Sequence, residues 1–184
     1  MEIKISTGQI LTILQIIAWI IFVGLCVEAG AILFNMFFML MLDTESANHL
    51  YKGVDLSNLY LFDQGHFIAE CTLLSIVAIF KAILFYLIVK LLHEKKLNMS
   101  DPFNTDVGRF MFRIGYLTFG IALFSYWGIN YTEWLIAQSA TMPNVQSLGF
   151  GGPDVWLFMS VTLFVIAHIF KRGIEIQTEN DLTI

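Results

Sequence analysis

Charge is scarce in this sequence. Charged residues are 14% of its 184 residues and apolar residues 57%, against about a quarter charged in soluble domains. That balance excludes an ordinary soluble globule. The net charge of −5 also excludes the basic surface that a direct nucleic-acid binder presents. Cysteine is equally sparse. Cys26 and Cys71 both sit in apolar runs, too few and too isolated for a disulfide framework or a structural zinc site, and read as small buried hydrophobes. Catalytic motifs are missing too: no Walker loop, no Gly-x-Ser-x-Gly, no His-Glu-x-x-His and no haem motif. An enzyme is not expected, and no cofactor is implied. No cleavable leader is expected either, because the first apolar run is too long for a signal core and ends without a small-x-small site. No internal repeat is apparent.

What is present is four long apolar runs. The first extends over about 9–42, broken only by Thr12, Gln15, Glu28 and Asn35. As one helix it would measure about 50 Å, longer than the ~30 Å hydrocarbon core. It must tilt, protrude or break, and Glu28-Ala29-Gly30 is the expected break. The second run covers about 66–92 and contains Glu70 and Lys81. The third covers about 103–137. Asp101-Pro102 reads as its N-cap and first helical position, and its first turns are amphipathic, with Phe103, Val107, Phe110, Met111 and Ile114 at helical spacing. The fourth covers about 154–171, opened by Gly151-Gly152-Pro153-Asp154, and leaves a tail over 172–184. The expected fold is all-α: one transmembrane domain over 1–184, an integral membrane antiparallel four-helix bundle with small and polar residues facing inward.

Lys and Arg orient it. Lys90, Lys95, Lys96, Arg109 and Arg113 lie in or beside the middle loop, Lys171 and Arg172 follow the last span, and Lys4 precedes the first. The first loop has Lys52 alone and the loop over 138–153 has no basic residue. The positive-inside bias therefore places both termini and the middle loop in the cytoplasm, with Trp127, Trp134 and Trp156 toward the outer interface.

The closing stretch Phe170-Lys-Arg-Gly-Ile-Glu-Ile-Gln-Thr-Glu-Asn-Asp-Leu-Thr-Ile184 resembles the C-terminal signature of an uncharacterised bacterial membrane family, domain of unknown function 2975. There a phrase like F-x-R-G-x-x-L-x-x-E-N-D-L-T-V follows the last span. Asp101-Pro102-Phe103 and Arg113-Ile114-Gly115 are similar to it as well, and Ile176 and Ile184 depart mildly from the commoner Leu and Val. The resemblance implies a bacterial inner-membrane location and brings no established activity. It also implies, from gene neighbourhood, a helix-turn-helix regulator of the Cro/C1 type as cytoplasmic partner.

Charged groups inside membrane helices cost about 2.5–3.5 kcal/mol each on insertion scales, so each needs a partner or a purpose. Glu28 and Lys81 fall at matching depth on antiparallel neighbours, about 20 Å below the outer surface. They are expected to form a buried ion pair that fixes helix register; an ion or proton site is the competing reading. His66, Glu70, Asn130, Glu133 and Asp154 make an outer-face polar and acidic cluster. His66 and Glu70 share a helical face and, with His49, have the spacing of a cation site, but two residues do not define one and no metal is assigned. Asp154 also suits the N-terminal dipole of the last helix. Tyr126, Asn130 and Glu133 form one stripe that is expected to line a shallow vestibule with Glu70 or to bond between helices. His168 reads as a packing residue, and the Met-Phe cluster Met36 to Met41 as lipid-facing or packing.

Arg172, Glu175, Glu179, Asn180 and Asp181 make the tail a candidate interaction segment. It can fold back on Lys95, Lys96, Arg109 and Arg113, dock a partner, or fray as termini do. The expectation is a small regulatory or interaction protein that couples the lipid bilayer to a soluble partner. The alternative is an oligomeric ion channel or small-solute carrier built on Glu28, Lys81, Glu70 and Glu133, which four spans can form only as a homo-oligomer.

Overall fold

The computed structural model describes residues 7–41, 55–94 and 104–181. Among them the chain is helical, without strands: α1 Thr7–Met41, α2 Ser57–Phe62, α3 Gln64–His93, α4 Thr105–Ala137 and α5 Pro153–Asp181. α1, α3, α4 and α5 are each long and apolar enough to cross a membrane. The fifth helix, α2, has six residues and covers one end of α3.

Several boundaries differ from expectation. α1 runs unbroken through Glu28-Ala29-Gly30. An added Cβ at Gly24 or Gly30 would meet nothing within 4 Å, so these glycines face open space and nothing wedges the helix apart. α3 begins at Gln64 because Asp63 caps it: its Oδ1 accepts from His66 N at 2.9 Å. That backbone N–H holds the Asp63 carboxyl below the usual carboxylate range. α4 is capped by Asn104, whose side chain accepts from Val107 N at 2.9 Å; Asp101 and Pro102, expected to open this helix, lie outside the described residues. α5 continues to Asp181, so most of the expected tail is the last turns of a 29-residue helix.

The helices pack in chain order: α1 along α3, α3 along α4, and α4 along α5, while α1 and α5 do not pack along each other. α1 meets α3 with Gln15, Ala18, Phe22, Leu25, Ala29, Ile32, Met36 and Met39 covered, a strict alternation of three- and four-residue steps. That is the seam of a left-handed helix pair. Much of the rest of α1 is apolar and exposed, as a surface in lipid should be.

α4 lies between two neighbours and is built for close approach. Lipid tails are as apolar as the side chains, so packing rather than the hydrophobic effect must hold membrane helices together. Glycines supply that packing. A Cβ at Gly120 would fall 2.7 Å from the Phe80 ring of α3, and one at Gly115 would fall 3.1 Å from Phe164 of α5.

The two ends of the molecule are unlike. At one end Gln15 of α1 meets His93 of α3, Lys90 faces Arg109 and Arg113 across a groove, and Phe112 of α4 stacks edge-on to His168 of α5. This basic end holds the start of α1 and the end of α5. The opposite, capped end is closed by α2 and by residues 138–152.

Candidate functional site: a re-entrant cap and its buried polar groups

α5 starts well short of the end of α4. Pro153 and Asp154 lie beside Tyr126 and Ala122, whereas α4 continues to Ala137, about 16 Å farther at about 1.5 Å per residue. The connecting segment must therefore descend alongside the last turns of α4. It does so through a 3-10 turn at Val145–Leu148, started by Asn144 accepting from Gln146 N at 3.0 Å. It then forms the stretch Gly149-Phe150-Gly151-Gly152. Gly149 (φ +83°) and Gly151 (φ +70°) occupy the left-handed region, which suits glycine and strains other residues.

Non-helical backbone at membrane depth is tolerated only where protein satisfies its polar groups, and here side chains do so. Ser125 Oγ donates to the Phe150 carbonyl at 2.7 Å. Lys81 Nζ donates to the Gly149 carbonyl at 2.7 Å. The Phe150 ring is fully buried and sits where a side chain of Gly128 would be: a Cβ there would lie 2.1 Å from it. The segment is a plug seated on a glycine.

Glu28 reaches the same plug. Its Oε1 lies 3.4 Å from the position a Cβ of Gly149 would take, and Lys81 Nζ lies 4.0 Å from the corresponding position at Gly151. Helices α1 and α3 thus bring both charges to one short stretch of backbone, whose mid-helix depth no hydrophobic periodicity encodes.

The outer-face cluster resolves into separate parts. Glu70 is 0% exposed and lies 2.7 Å from Thr132 Oγ1 of α4. His66, half-buried, bonds through Nδ1 to Tyr131 O–H at 2.7 Å, and Trp134 meets its ring edge-on. Asn130 and Glu133 are exposed, and Asn130 bonds back to Tyr126 O at 2.7 Å. Thr132 rather than this exposed stripe faces Glu70, so the stripe does not form a vestibule with it. Asp154 stands exposed in the first turn of α5, where the helix dipole favours an anion.

Among the described residues no three His, Cys, Asp or Glu side chains converge; His49 lies outside them. Cys71 is buried and Cys26 exposed, and both are free. At the other end Arg172 pairs with Glu175 at 3.0 Å. Glu179 and Asn180 are exposed on the same helix, and Asp181 ends it with its side chain outside the described residues.

Ser125, Gly128, Thr132 and the Gly149–Gly152 plug were missed by sequence reasoning. The one available signal was Gly-Phe-Gly-Gly before Pro153, a glycine density that marks unusual backbone.

The chain belongs to the family described as "Protein of unknown function (DUF2975)", whose model matches residues 55–184. No curated protein and no solved structure matches the chain.

Proposed function

We propose that this member of the family is a small regulatory or interaction protein of a bacterial inner membrane, with its basic end in the cytoplasm, where it engages a soluble partner. The observation that carries the reading is the helix end: α5 runs ten residues past Lys171, about 15 Å beyond the basic level. Gln177, Thr178, Glu179 and Asn180 are exposed on these last helical turns. Basic residues at that end support the orientation by the positive-inside bias. The partner suggested by the family resemblance is a small helix-turn-helix regulator.

The buried groups support the same choice over a channel or carrier. Lys81 bonds to backbone of its own protomer, and Glu70 is wholly enclosed within that protomer. A conducting pathway would instead present them to a shared polar passage. In this reading Glu28 and Lys81 pair as a clamp that holds α1, α3 and the plug in register.

Co-purification with the regulator tests the proposal. The full chain retains it. A chain ending at Lys171 and a full-length Glu175→Lys/Glu179→Lys variant each lose at least about tenfold in affinity, ~1.4 kcal/mol. Unchanged binding by both variants would overturn the docking role.

A further inference from the structure

Among the described residues Glu70 is the only acidic or basic side chain that is fully buried. Its Oε2 has no hydrogen-bond partner among them. Its Oε1 lies 2.7 Å from Thr132 Oγ1, and that hydroxyl also lies 2.9 Å from the Gly128 carbonyl. A hydroxyl carries one proton. If Thr132 spends it on Gly128 O, the usual bond back along a helix, the short contact to Oε1 is a hydrogen bond only when the carboxyl brings a second proton.

Among the described residues, only the shared Thr132 hydroxyl lies within hydrogen-bond reach of an ionised Glu70 carboxylate. On α3 its titratable neighbours are Cys71, 0% exposed, and His66, which is bonded to Tyr131. On α4 Tyr131 faces it, while Glu133 points to solvent. Asp63, another acid, caps the helix start. α1 brings Met36 and Met39 to this cluster. Neither α2 nor residues 138–152 contain a charged side chain. A buried charge without a cation or a full set of donors is strongly disfavoured.

The carboxyl is also linked to the plug. Thr132 bonds to Gly128, and Gly128 seats Phe150. Phe67, one turn before Glu70, is fully buried and carries Tyr60 of α2 edge-on at 5.3 Å.

We propose that Glu70 is a proton-binding site that holds the capped end closed. Bound, the proton completes the chain from the Glu70 carboxyl through the Thr132 hydroxyl to the Gly128 carbonyl. Released, it passes to water at the capped end. The carboxylate left behind needs water, so α2 and the plug must part to admit it. The ligand is the hydrogen ion, and the response is a cap that loosens as pH rises. This inference stands apart from the docking proposal, which concerns the opposite end.

Cys71, sealed beside Glu70, is a built-in reporter. In a Cys26→Ser background, Cys71 is alkylated by a soluble maleimide in detergent from about pH 5, above the ordinary carboxyl range, to about pH 9, the upper end for buried carboxyls. The readout is the rate in otherwise wild-type protein divided by the rate in Glu70→Gln at the same pH, which divides out the pH dependence the two thiols share; the Glu70 charge itself slows the wild-type thiol, so it cannot produce a rise in the ratio. The ratio is expected to stay near one at the acid end and to climb about tenfold or more toward the alkaline end. A ratio that does not change with pH overturns the proposal. Should Glu70→Gln fail to fold, infrared spectra of the wild-type protein decide. A protonated-carboxyl carbonyl band that persists once exposed carboxyls are ionised, and fades as Cys71 becomes reactive, supports the site; Cys71 exposure with no such band refutes it.

Discussion

At the scale of single residues, the plug rests on an absent side chain. Gly128→Ala adds a methyl 2.1 Å from the Phe150 ring, so the ring must leave its seat. The expected cost is about 1–3 kcal/mol, seen as a lower unfolding midpoint in detergent. The cost should vanish in a Phe150→Ala background, because the collision then has no second party. The half-buried charges make a second prediction. Lys81→Met leaves the Gly149 carbonyl without its donor, and Glu28→Gln removes a negative charge beside the plug. Each should cost about 3–5 kcal/mol, with the double variant costing less than the two together. A double variant that folds as well as the wild type marks the pair as structural. Sequence alone placed Glu28 and Lys81 at one depth by counting residues along antiparallel helices. It could not show the third party, because Gly149 reaches them only through a re-entrant path that no periodicity encodes.

At the scale of elements, the spans were legible and their faces were not. Long apolar runs predict crossing helices by length alone. In α1 nearly every residue is apolar, so hydrophobicity does not distinguish the side that packs on α3 from the side in lipid. Shape distinguishes them: Ala18, Ala29 and Ile32 are buried on the seam, while Gly24 and Gly30 face open space. Ala29→Leu is therefore expected to destabilise by about 1–3 kcal/mol through overpacking. Gly30→Ala should be neutral or stabilising by up to about 1 kcal/mol, since glycine weakens helix interiors. Thermal unfolding of the two variants checks this; equal effects would show that the seam is misplaced. The extent of α5 was also hidden. Its polar residues after Lys171 read as a tail, yet Arg172 and Glu175 pair at i, i+3 and Ile174 packs where Gly108 gives it room, so the helix carries on.

At the scale of the molecule, an even number of antiparallel crossings brings the start of α1 and the end of α5 to one basic end. The other end is sealed by α2 and a plug that is anchored by Ser125 and Lys81. The buried acid Glu70 and the plug belong to the capped half and the projecting helix to the basic half, so the two faces divide into a closed side and a displayed side. The orientation of that division is the claim on which the proposed role depends. It is tested most directly by single cysteines placed at Ser147 and Thr178 in a cysteine-free chain, treated with a membrane-impermeant maleimide in intact cells. Ser147→Cys is expected to react from outside, and Thr178→Cys only after the membrane is permeabilised. Labelling of position 178 in intact cells, with position 147 protected, would contradict the account.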